Sequence, residues 1–67
     1  MNRTGVIYGI NGPVVYIKGN TGFKMAEMVY VGKEKLVGEV IGLDKDRTTI
    51  QVFEETTGIK PGEIVEA

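Results

Sequence analysis

Apolar and polar side chains alternate at a period of two along most of this chain, the signature of strands with one buried face. The first run, Gly5 to Ile10, places Val6, Tyr8 and Ile10 on one face. Asn11-Gly12-Pro13 then turns the chain, because Asn and Gly tolerate positive φ and Pro13 has no N–H to offer a ladder. Val14 to Lys18 is a second strand, rich in β-branched residues, and Gly19-Asn20-Thr21-Gly22 a loop. Met28 to Val31 is a short third strand, and Gly32-Lys33-Glu34-Lys35 a polar hairpin connection. Leu36 to Leu43 is a fourth strand interrupted by Gly38 and Gly42, so either Leu36 and Val40 or Val37, Ile41 and Leu43 face the core. Asp44 to Arg47 makes a tight turn, and Thr48 to Glu54 a fifth strand with Ile50 and Val52 opposed to Thr49, Gln51 and Phe53. Thr56 to Glu63 is loop, with Pro61-Gly62 suited to a type II turn, and Ile64-Val65 begins a short sixth strand.

No stretch of ten or more residues carries a helical period. Five to six short strands with glycine bends predict an all-β fold, a small closed antiparallel barrel. Closure removes the exposed edges that otherwise pair with other chains.

Composition narrows what such a barrel can do. The chain has 67 residues, enough for one domain, 1–67, with a small core. It holds no cysteine and no histidine, and the sequence also lacks serine and tryptophan. Disulfides, thiolate zinc sites and Ser-His or Cys-His nucleophiles therefore have no residues to build them. The apolar runs are short and no Arg-rich leader opens the chain, so neither a bilayer span nor a targeting segment is expected. Eight basic against nine acidic residues leave a net charge of −1, no electrostatic footprint for nucleic acid.

The remaining chemical signatures fail on spacing. No G-x-G occurs, and Gly22-Phe23-Lys24 and Gly32-Lys33 have neither the earlier glycine nor the following Ser/Thr of a phosphate loop. Glu54-Glu55 point to opposite faces if the strand continues, and Asp44 and Asp46 flank a turn that Asp favours for its own hydrogen bonding. No oxygen-rich calcium run is present. No catalytic, cofactor-binding or metal-ligating residue is expected. Tyr8, Tyr16, Tyr30 and Phe53 could stack nucleobases only with basic neighbours. Tyr16 has Lys18 on its face, but Phe53 sits between Gln51 and Glu55, so these rings are expected in the core or in cross-strand pairs. An oligonucleotide-binding barrel using Tyr16, Lys18 and Phe53 is the alternative. Lys33, Glu34 and Lys35 form a charged tip, read either as a solvated hairpin end or as a rim contact with a neighbouring subunit.

Together these pieces resemble a known family. Gly5-Val-Ile-Tyr-Gly-Ile-Asn-Gly-Pro-Val-Val15 is similar to the opening of the catalytic A (alpha) subunit of archaeal- and vacuolar-type rotary ATPases, or ATP synthases. Lys24-Met-Ala-Glu-Met-Val-Tyr-Val-Gly32 and Leu36-Val-Gly-Glu-Val-Ile-Gly-Leu43 look like its third and fourth strands. Ile50-Gln-Val-Phe-Glu-Glu-Thr-Thr-Gly-Ile-Lys-Pro-Gly-Glu63 matches every fixed position of the family's I-Q-V-[YF]-E-E-T-x-G-[ILV]-x-P-G-E block. That block also counts against the barrel of a flagellar or secretion ATPase. The resemblance covers residues 4 to 63, and one departure follows it: Ile64 stands where the family usually has proline.

The resemblance implies an N-terminal β-barrel fragment of a larger subunit, without the nucleotide-binding domain. In the family, six such barrels from alternating A and B subunits form a crown that holds the hexameric head together. The parent couples ATP synthesis or hydrolysis to proton or sodium transport, with Mg-ATP or Mg-ADP bound in later domains. The barrel alone would need no cofactor, do no chemistry and touch neither nucleic acid nor membrane. It would lie in the cytoplasmic, peripheral head of a membrane-bound complex, and cut from its ring it could self-associate. Asn20, Phe23, Lys33, Lys35 and Arg47, taken as exposed in polar loops and strand edges, are the expected subunit contacts.

Overall fold

The computed structural model describes residues 3–19 and 22–67, and its strands follow the alternation of the sequence. Six strands form in chain order: β1 Thr4–Asn11, β2 Val14–Lys18, β3 Met28–Val31, β4 Leu36–Leu43, β5 Arg47–Val52 and β6 Ile64–Glu66. They close into a barrel in the order β1-β2-β5-β4-β3-β6, with β6 also paired to β1 and every pairing antiparallel. A closed ladder has no free edge, so a chain of this length satisfies its strand backbone internally.

The local turns are those the sequence announces. Gly12 and Pro13 join Asn11 and Val14, which are cross-strand partners. In the connection after β3, Lys35 N–H donates to Gly32 C=O at 3.1 Å, and in the next, Asp44 N–H donates to Arg47 C=O at 2.9 Å. Glu63 N–H closes the Lys60-Pro61-Gly62-Glu63 turn on Lys60 C=O, with Gly62 at φ +98°, as a type II turn requires of its third residue.

Ile7, Val15, Ile17, Val29, Val31, Val40, Ile50, Val52 and Val65 fill the interior from all six strands. Thr48 is the one buried polar side chain among the described residues, and its hydroxyl donates to Gly19 C=O at 3.0 Å. The crossovers β2–β3 and β5–β6 leave from opposite ends of the β2–β5 pair, where Lys18 faces Arg47 and Val14 faces Gln51. Each sends one side chain into the core, Phe23 and Ile59 respectively.

The buried faces of two strands, which alternation leaves open, are set by bulges. In β1 the inward residues are Gly5 and Ile7, while Val6 and Tyr8 point outward. A bulge between Ile7 and Gly9 then shifts the register, and Ile10 comes round to pack against the core. In β4 the inward set is Leu36, Gly38 and Val40, and a second bulge between Val40 and Gly42 brings Leu43 back against the core. Gly38 is glycine for space. A Cβ there would lie 2.9 Å from Gln51 C=O oxygen and 3.0 Å from Ile50 Cγ2. The fifth strand ends at Val52, so Phe53 lies beyond it and is exposed rather than packed in the core.

Candidate interaction surface

The outward positions of β3, β6 and β1 carry more apolar surface than strand alternation needs. Val6 and Ile64 are cross-strand partners and remain 56% and 51% exposed. Tyr8 and Tyr30 are each 48% exposed on the outer side of their strands. A run of apolar residues across adjacent strands marks a contact surface more than a solvated one. It continues onto β2, where the Tyr8 and Tyr16 rings tilt together with centroids 6.3 Å apart. The Arg47 guanidinium from β5 sits 4.7 Å from the Tyr16 centroid, close enough for a cation–π contact.

Beside Ile64 the surface dips into an open depression of about 330 Å³ lined by Gly32, Lys33, Lys35, Gly62, Ile64 and Glu66. Its walls are held by Glu63. That carboxylate accepts from Lys33 N–H through Oε1 and from Lys60 N–H through Oε2, both at 2.9 Å. It thus ties the β3–β4 turn to the loop before β6. Donation by the Lys33 and Lys60 backbone N–H groups holds its carboxyl below the usual glutamate range. Lys35 Nζ forms an ion pair with Glu66 on the rim, and Ile64 C=O accepts from Gly32 N–H at 2.9 Å. Residue 64, the family's usual proline position, is thus strand-paired here.

A second carboxylate ties down the long crossover. Glu27 accepts from Lys24 N–H at 2.9 Å and from Arg3, whose Nη1 also donates to Gly22 C=O at 2.7 Å. The Lys24 N–H contributes most to lowering the Glu27 pKa, with the Arg3 hydrogen bond and charge adding to it.

The five expected contact residues fare differently. Lys33 and Lys35 lie together on the depression. Arg47 is exposed, but on the far side of the Tyr8–Tyr16 pair. Asn20 lies outside the described residues. Phe23 is a correction: it is 3% exposed and belongs to the core, because an aromatic ring in a polar loop gains more from the barrel interior than from water. The expected set omits Val6, Tyr8 and Ile64. The available signal is that Gly5 to Ile10 is apolar at consecutive positions, Val6, Ile7 and Tyr8, which puts apolar groups on both faces of one strand.

No three acidic side chains converge as a metal-binding group among the described residues. The aromatic set of the oligonucleotide reading is not assembled either. Lys18 and Tyr16 neighbour Arg47 and Thr49, whereas Phe53 lies about 20 Å beyond Arg47 at ~3.3 Å per residue. No helix among the described residues is long and apolar enough to cross a membrane.

A closed six-stranded antiparallel barrel with an exposed apolar strip defines a small β-barrel module. Residues 7–67 match the β-barrel domain of the ATP synthase alpha/beta family, and the chain belongs to that family. It is 61% identical over 59 residues to V-type ATP synthase alpha chain 2 of Clostridium tetani, covering 88% of this chain and 10% of that protein. It is 55% identical over 65 residues to the V-type ATP synthase alpha chain of Halothermothrix orenii, covering 97% of this chain and 11% of that protein. Against the A subunit of the A-type ATP synthase of Methanopyrus kandleri it is 57% identical over 61 residues, 91% of this chain and 10% of the other. The resemblance to the A subunit of A/V-type ATP synthases therefore holds, and the chain spans about a tenth of the length of these relatives.

Proposed function

We propose that the chain is the N-terminal assembly domain of the A subunit of an A/V-type ATP synthase, packing side by side with B subunits in an alternating hexamer. The observation that carries this reading is the exposed Ile64–Val6–Tyr8 strip with the Lys33/Lys35 depression beside it. A barrel with a satisfied backbone and a full core has no internal use for that surface, whereas a neighbouring subunit would desolvate it. Nucleotide binding as Mg-ATP or Mg-ADP, catalysis and coupling to proton or sodium movement belong to the rest of the parent subunit. The complex's membrane part lies elsewhere, and this barrel sits in its cytoplasmic head without touching lipid or nucleic acid. The domain acts by holding its neighbours while other parts of the subunit move. A titration of the barrel with the barrel of the B subunit tests this: amide shifts are expected along the strip and around the depression. Tight binding of Mg-ATP to the barrel alone would count against it.

A further inference from the structure

The barrel also carries two patches of opposite charge at the two ends of β5. At its start, Lys18 and Arg47 are direct cross-strand partners on the outer face, with Arg47 resting on Tyr16. Neither is in an ion pair among the described residues. Like charges placed opposite one another work against the sheet, so an anionic partner would relieve a local cost. Beyond the end of β5, Phe53 is 53% exposed, and its N–H donates to Val37 C=O at 3.0 Å. Val37 in turn faces Tyr30 across β3–β4. Glu39 lies two positions from Val37 in β4, and the exposed Glu54 and Glu55 follow Phe53 in the chain; none of the three is ion-paired among the described residues. Separated by about 20 Å along β5, the two patches do not overlap.

The geometry points to head-to-tail association of the chain with a second copy of itself, the Lys18/Arg47/Tyr16 patch of one barrel meeting the Phe53/Glu54/Glu55 patch of the next. Each patch supplies what the other lacks: one has unpaired cations beside an aromatic ring, the other unpaired carboxylates beside an exposed ring. Because the two patches differ, the contact is heterologous, and one barrel can engage two neighbours at once. The first patch shares Tyr16 and Arg47 with the outer face that continues onto β2, but the self-association test needs no B subunit, so it fails or succeeds separately from assembly with B subunits. The contact is small and rim-charged, so it is weak and sensitive to salt.

Sedimentation equilibrium of the 67-residue chain tests it. At about 0.01 M salt, where the Debye length is about 30 Å, the mean mass should climb above that of the monomer as concentration approaches about 1 mM. In about 1 M salt, where charges are screened within about 3 Å, it should stay monomeric. Lys18→Glu/Arg47→Glu and Glu54→Lys/Glu55→Lys should each weaken self-association at low salt by about fivefold or more. Mixing the two variants should restore association as mixed pairs, since each then offers the patch that the other has lost. Lys24→Glu/Lys60→Glu, which changes net charge by the same amount as Lys18→Glu/Arg47→Glu but leaves both patches intact, should associate like the unaltered chain. Dispersed amide spectra for every variant establish that each is folded. A monomer at low salt up to about 1 mM would overturn the proposal. So would association indifferent to both charge reversals, or variants whose mixture stays monomeric.

Discussion

Gly38→Ala is the sharpest test of how this barrel is packed. The added Cβ would sit 2.9 Å from the Gln51 carbonyl oxygen, 3.0 Å from Ile50 Cγ2 and 3.3 Å from Val31 Cγ2. Two of those neighbours are side chains that can shift by tenths of an ångström. The third is backbone of β5, and Gly38 and Val52 are ladder partners there, so yielding would stretch the β4–β5 pairing. Overpacking of this kind costs about 1–3 kcal/mol. Replacing glycine with alanine also restricts the unfolded chain, which returns about 0.4–1 kcal/mol. With the middle of each range the net loss is about 1.3 kcal/mol, or roughly 5–10 °C in Tm for a domain of this size. Gly58→Ala is the matched control, since its Cβ would meet nothing within 4 Å; it should leave Tm unchanged or raise it slightly. Thermal unfolding followed by far-ultraviolet circular dichroism reads both. Equal melting temperatures for the two variants would refute the view that β4 and β5 are in contact at this point.

Two further outcomes follow from the buried ring and the capped carboxylates. Phe23→Ala should cost about 3–5 kcal/mol, a large part of the stability of so small a domain. In urea its transition should shift by molar amounts or vanish, and an unchanged midpoint would mean that the ring is solvated after all. Glu63 and Glu27 have folded pKa values below their ordinary ones. Their stabilisation is therefore fully present above the ordinary glutamate range and is lost as pH falls through it and then through the lowered folded values. Tm should be flat near neutrality and fall on acidification below the ordinary range, and Glu63→Gln should lower the neutral plateau and make the acid limb shallower. Parallel curves for the two proteins would remove Glu63 from that role.

Much of the fold is legible in the residues because the turns are chemically distinct. β2 begins after Gly12-Pro13, β3 ends and β4 begins at Gly32 to Lys35, and β4 ends at Asp44 to Asp46, where each break interrupts a run of β-branched and apolar residues. The faces are harder to read. Both sides of β1 are apolar, so alternation alone does not choose between Val6/Tyr8 and Ile7, and the bulge before Gly9 leaves no mark in the hydropathy pattern. Phe23 misleads because its neighbours are Gly22 and Lys24, and burial of a loop residue is decided by the path of the crossover. The insertion of β6 between β3 and β1 is equally non-local, a pairing of Val65 with Val31 and Gly5 that no short window contains. The exposed apolar strip follows from that pairing: Ile64 meets Val6 only once β6 is in place.

The measurement that bears most directly on the assembly role is an amide NMR titration of the isotope-labelled barrel with the B subunit's barrel, repeated with Ile64→Glu. Shifts along Val6, Tyr8 and Ile64 and at the Lys33 and Lys35 turn, weakened in the variant, are the expected result. Shifts confined to positions away from that strip, or a titration that Ile64→Glu leaves unaltered, would contradict it.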